Sequence, residues 1–235
     1  MTEAKKPAAR QVKSKQRVAD HGEVFTADRE VNAMLDLVKQ ETERIDSRFL
    51  EPACGDGNFL AEILRRKLAV VKRKYGKSPY EYERYAVVAA TSIYGVDIMQ
   101  DNVDDCRVRM FEIWDKEYTQ NCKKDASDEV REAVRYVFSR NILCGDALTL
   151  KAADGTPIVF SEWSLVTGSM IQRRDFKLSE LMEGADTVRD KQGYAYDNLL
   201  ALAEGWEYDT EIQGYIPAPV RVLPLRDYRR LQDDE

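Results

Sequence analysis

The residues best suited to chemistry are two glycines at a strand-to-helix junction and two aspartates that close later apolar runs. In residues 50–64, LEPACGDGNFLAEIL, Phe49 and Leu50 end an apolar strand, and Pro52, lacking an amide hydrogen, takes the chain out of any sheet ladder. Gly55 and Gly57 let the backbone pass tightly under a ligand. A helix starts near Asn58. Its first amides lack intrahelical partners and point into the turn, which suits a polar or anionic group of a small molecule. Glycines serving packing alone are the competing reading. The third glycine of a dinucleotide fingerprint is Leu60 here, which disfavours nicotinamide. The run SIYGVDI closes on Asp97, an acid placed either to accept from both hydroxyls of a ribose or to cap the next helix. NILCGDALTL reads as a third strand with Asp146 just beyond its end.

Strands ending at Leu50, Val96 and Cys144 and alternating with helices predict an open, mostly parallel α/β sheet flanked by helices. Val31, Met34, Leu35 and Val38 mark an amphipathic N-terminal helix, capped by Thr26 or Asp28. Leu60, Ile63, Leu64, Leu68 and Val71 form one stripe that packs on the sheet and turns the basic residues of 65–74 outward. A further helix runs through Tyr82, Tyr85 and Val88, and another through MQDNVDDCRVRMFEIW. Residues 118–128 read as a polar loop, followed by a helical stripe at Val130, Val134, Val137 and Phe138. The three expected ligand-binding ends then lie together at the carboxyl edge of the sheet.

The 235 residues fit one domain with appendages, and 43% hydrophobic content is enough for a sizeable core. Four cysteines, Cys54, Cys106, Cys122 and Cys144, show no CxxC pair or zinc spacing, so they read as reduced thiols with no metal site. Without a signal peptide or an apolar run of about 20 residues, the expectation is a cytoplasmic protein with no membrane span. Net charge is −6, so the whole chain is no electrostatic partner for DNA. Its cations crowd the N-terminal arm, Lys5 to Arg17, and the helix after the glycine turn, where either cluster can meet phosphates or simply face solvent. The arm, residues 1–17, reads as disordered. His21, the only histidine, reads as a local structural residue.

The stretch EPACGDGNFL resembles the first motif of class I S-adenosylmethionine-dependent methyltransferases, in the form seen in adenine-N6 DNA methyltransferases of restriction-modification systems. Glu51, Pro52, Ala53, Cys54, Gly55, Gly57 and Phe59 stand where that family has its pattern. GEVFT with the following helix resembles the family's motif X, although Ala27 replaces the usual proline. The resemblance implies a Rossmann-like methyltransferase sheet and S-adenosylmethionine as cofactor. It implies that Phe25 and Thr26 help hold the methionine end, Asp97 with Ile98 the ribose, and Asp146 with Ala147 the adenine. It covers roughly residues 17–175 and looks like the small M subunits of restriction endonucleases. The implied division is a basic arm, a cofactor-binding domain over 18–176 and an irregular C-terminal extension over 177–235.

One expected piece is missing. The family's tetrapeptide, an Asp, Asn or Ser followed by Pro-Pro and an aromatic, should follow the third strand, but none of the seven prolines adjoins another. In its place stands GTPIVFSEWSLVTGSMIQRRDF, a strand pair around a turn near Gly168. The tetrapeptide holds a flipped base, and adenine N6 is a poor nucleophile without it. Trp163 is a candidate to stack on a base and Glu162 to accept from an amino group, with core packing the alternative for the tryptophan. The residues that remain are expected to be too few for the usual target-recognition domain. Two functions follow as expectations. One is a DNA methyltransferase-like protein that binds DNA weakly alone and needs a partner subunit of a restriction-modification or defence system. The other is an inactive cofactor-binding accessory. In the C-terminal part, LSELM and residues 196–203 suggest short helices, GYIPAPVRVLP is extended, and RDYRRLQDDE reads as an exposed tail.

Overall fold

The structure is a computed structural model that describes residues 13–21, 24, 26–187, 206–209 and 214–234. Its N-terminal helices are α1 (Lys15–His21), α2 (Asp28–Leu37) and the short α3 (Lys39–Thr42). The helix α1 begins inside the stretch that reads as a disordered arm. The cap of α2 is Ala27, not Thr26 or Asp28: Glu30 reaches back to the Ala27 amide at 3.2 Å. Only Val31 and Leu35 of its expected apolar stripe are buried, while Met34 and Val38 are exposed.

Next come β1 (Phe49–Glu51), α4 (Asn58–Tyr75), α5 (Pro79–Thr91), β2 (Ile93–Asp97), α6 (Gln100–Cys122), α7 (Asp128–Asn141) and β3 (Ile142–Asp146). The three strands lie side by side and parallel, each within two residues of its predicted end, and β4 (Lys151–Ala152) pairs antiparallel with β3. The fold is α/β, a four-stranded mixed sheet with helices. Parallel neighbours need long crossovers, and here each crossover is a helix pair. The predicted stripe of α4 is buried throughout, as is that of α7. Each such side chain contributes about 1.5–3 kcal/mol. Tyr94 and Val96 face the other way, onto Ile158, Phe160 and Leu178.

The strand pair around Gly168 is a hairpin of β5 (Val159–Thr167) and β6 (Met170–Lys177), with Gly168 at φ +55°. After α8 (Leu178–Thr187) come β7 (Trp206–Asp209) paired with β8 (Gly214–Pro217), then β9 (Arg221–Val222) and β10 (Arg226–Asp227), both on β6. The extended reading of 214–224 matches β8 and β9; the helix expected over 196–203 lies outside the described residues.

Two further expectations are corrected. Residues 118–122 continue α6, because Tyr118 and Cys122 extend the buried i, i+4 row of Met110 and Trp114. Tyr118 stacks on Trp114 with ring centroids 4.6 Å apart. The charged tail is not exposed either: residues 228–234 form a 3-10 segment whose Tyr228 and Leu231 are fully buried. Its anchor is Glu83, which accepts from Tyr228 Oη at 2.7 Å, Arg229 Nε at 2.9 Å and Tyr118 Oη at 2.6 Å. Replacing Glu83 with leucine orphans these donors. A loss of about 3 kcal/mol is expected in urea unfolding, with faster amide exchange over 228–231. Unchanged exchange there would mean that burial of Tyr228 and Leu231 holds the tail without the bonds to Glu83.

Candidate functional site

β1 leads into a turn whose hydrogen bonds tie it to its neighbours: Cys54 N donates to Val96 O at 2.9 Å, and Gly57 N to Cys54 O at 2.8 Å. Gly55 and Gly57 take φ of +54° and +89°, where other residues are strained. A Cβ on Gly57 would also sit 2.7 Å from Cys106 Sγ. Packing on α6 therefore explains part of this glycine's presence, as the competing reading held. Cys54 is buried beneath the turn, its thiol pushed up by a hydrogen bond with Cys106 and by burial. Burial and the raised pKa keep this thiol protonated.

Asp97, 9% exposed, accepts from Gly55 N at 2.9 Å through one oxygen, and from Met99 N at 2.9 Å and Asn102 Nδ2 at 3.1 Å through the other. It pins the glycine turn and holds the segment that leads into α6, whose N-cap is Met99. A carboxylate has about four lone-pair positions. With three taken, one ribose hydroxyl can bond directly, and a second only in exchange for a present partner.

Asp146 accepts from Leu148 N at 2.8 Å and Thr149 Oγ1 at 3.0 Å, which together hold its carboxyl below the usual range. Ala147 beside it is half-buried, and Ile98 is exposed. Glu51 is half-buried, its carboxyl raised by burial against the Ala53 amide. Pro52 and Ala53 are exposed, while Phe59 packs against the core. Thr26 gives its carbonyl to Asn58 Nδ2 at 3.0 Å, which brings the N-terminal segment to the head of α4; Phe25 lies outside the described residues. The sheet order thus gathers residues 51–57, 97–98 and 146–147 at the carboxyl ends of three adjacent parallel strands.

Sequence reasoning missed the support beneath this edge. Asn102, Cys106 and Arg109 face the turn from α6, a spacing of i, i+4 and i+7 that becomes readable once Asp97 and Gly57 are placed. Arg109 NH1 donates to Asn58 Oδ1 at 2.6 Å and lies 3.3 Å from Asp56 Oδ1. Burial raises the Asp56 carboxyl, and Arg109 opposes that shift.

The basic helix is not one outward face. Lys67 is fully buried, Arg66 pairs with Asp36 and Glu62, Arg65 lies 3.7 Å from Glu62, and Lys72 pairs with Glu117, which leaves Arg73 and Lys74 as the exposed cations of this stretch outside those pairs. The acceptor-side candidates are also placed elsewhere. Glu162 is buried and paired with Arg48 and Arg174, and Arg48 immediately precedes β1. Trp163, 7% exposed, donates Nε1 to Asn141 at 3.0 Å, just before β3. Both contacts sit at the amino ends of the parallel strands, opposite the glycine turn.

Among the described residues no helix is long and apolar enough to cross a membrane. No family model matches the chain, and no solved structure matches it. It is similar to the curated protein DNA methyltransferase A of Bacillus subtilis (strain 168), at 29% identity over 130 residues. That alignment takes in 52% of this chain and 14% of the relative, so the chain corresponds to a small part of that protein's length. The likeness supports a methyltransferase-like relationship for the chain.

Proposed function

We propose that the chain is the cofactor-binding core of an S-adenosylmethionine-dependent DNA methyltransferase of the adenine-N6 type, built on a Rossmann-like sheet over residues 18–176. The observation that carries this reading is the gathering of the glycine turn, Asp97 and Asp146 at one sheet edge. Bound there, the cofactor supplies an electrophilic methyl group. The chain's part is to hold it: the turn and Thr26 at the methionine end, Asp97 and Ile98 at the ribose, Asp146 and Ala147 at the adenine.

Base contacts and target recognition come from a partner subunit of a restriction-modification or defence system. Glu162 and Trp163, paired at the far end of the strands, do not serve an acceptor base at this edge. The strand β1 pairs only with β2 among the described residues, and its Leu50 is 41% exposed. An open edge of this kind is a template for another chain. The same facts favour the second reading, an accessory protein that binds cofactor and transfers nothing.

Titration calorimetry should show saturable binding of S-adenosylmethionine. Tritium from labelled cofactor should not reach duplex DNA with the chain alone, and should reach adenine when the products of neighbouring genes are added. Transfer only with those products supports the methyltransferase core, and no transfer under any condition supports the accessory. Tritium at a defined adenine with the isolated chain would overturn the need for a partner.

A further inference from the structure

Two of the N-terminal cations that read as a solvated arm, Lys13 and Arg17, are paired with acids of α6. Lys13 Nζ lies 3.2 Å from Asp101 and 2.5 Å from Asp105, and Arg17 NH1 lies 2.5 Å from Asp101. Arg17 NH2 also donates to Asn102 Oδ1 at 3.1 Å. Asn102 is 1% exposed and turns its amide onto Asp97 Oδ1 at 3.1 Å. A chain of side chains therefore runs from α1 to the carboxylate that holds Gly55.

These acids stand in the first turns of α6. The positive end of a helix dipole repels cations, so Lys13 and Arg17 stay there only because Asp101 and Asp105 outweigh it. The Arg17 and Lys13 hydrogen bonds in turn hold the Asp101 carboxyl down at about 2. The partners are 18–58% exposed, so dissolved salt reaches and screens them.

We propose that α1 is an electrostatic latch on the cofactor site, in which Arg17, acting through Asn102, is a positioning residue for Asp97. Salt, or loss of either set of charges, undocks α1, frees Asn102 to turn and loosens the Asp97 carboxylate on the glycine turn. The link from latch to cofactor rests on the reading proposed above; the docking of α1 does not.

The test uses the full chain in two measurements. Amide exchange over 15–21 and 97–102, without ligand, should speed up between about 20 mM and 0.5 M salt. It should already be fast at low salt in Arg17→Gln and Asp101→Asn. Calorimetry with S-adenosylhomocysteine should show wild-type affinity falling about fivefold over that range, weak and salt-insensitive binding in both variants, and a retained salt slope in Arg17→Lys, which keeps the charge. Exchange that ignores salt and variants overturns the latch. Affinity that ignores them while exchange responds overturns its coupling to Asp97. Salt-sensitive exchange with no heat from any form leaves α1 docked as described and removes the cofactor reading.

Discussion

Replacing Asp97 with alanine should weaken S-adenosylmethionine binding at least tenfold and destabilise the fold by about 3 kcal/mol. The carboxylate accepts from the Gly55 amide, the Met99 amide and Asn102 while 9% exposed, so its removal leaves two backbone donors without their partner at the site's centre. Charge-assisted bonds of this kind are worth more than neutral ones. Asparagine is the sharper probe. Its amide offers one acceptor oxygen and turns an NH2 toward a donor, so the turn is held from one side only. Calorimetry reads the first effect and urea unfolding the second. Full stability in the alanine variant would show that the turn holds itself. Full stability with unchanged affinity would move the cofactor elsewhere.

The sheet edge was legible because local chemistry decides it. Pro52 must leave a ladder, Gly55 and Gly57 accept positive φ, and apolar runs closing at Asp97 and Asp146 end strands by composition alone. What was illegible depends on partners distant in sequence. Tyr118 looks like loop until Glu83 and Trp114 are beside it, and the tail 228–234 looks solvated until Tyr228 finds the same Glu83. Lys13 and Arg17 count as phosphate-seeking cations only while Asp101 and Asp105 are unseen. Net charge and clustering are sums over sequence, whereas electrostatics acts over a few ångströms in space. The same limit applied to Glu162 and Trp163: residue type made them candidate acceptor groups, and only the topology places their contacts at the amino ends of the parallel strands.

Lys67→Met should destabilise the protein by about 3 kcal/mol at neutral pH, with a gap that widens as pH rises. Lys67 is fully buried in α4 and donates to the carbonyls of Arg44 and Ile45, each at 3.0 Å, and Ser47 at 2.5 Å. Its ammonium also lies 5.2 Å from the centroid of the Phe49 ring. Those carbonyls belong to the segment that delivers the chain into β1, so one side chain sets the approach of the strand that carries the glycine turn. Methionine fills a similar volume but donates nothing. A cavity of about 840 Å³ lined by Arg44, Ile45 and Ser47 lets water reach some of the orphaned oxygens, which keeps the loss below the sum of three broken bonds.

The pH dependence follows from burial, which pulls the Lys67 ammonium down to about 7, while the unfolded chain keeps the ordinary value of about 10.4. Below pH 7 both states hold the proton, and this group gives no slope. Between about 7 and 10 the unfolded chain binds a proton that the folded chain has released, so rising pH favours folding by up to about 1.4 kcal/mol per unit. The three carbonyls and the Phe49 ring oppose that release and make the slope an upper bound. Methionine carries no such term, and other titrating groups cancel in the difference between the two proteins. Urea midpoints at about pH 6, 7.5 and 9 therefore decide it. Parallel stability curves would mean that Lys67 stays charged throughout, held by its carbonyl cage against the cost of burial.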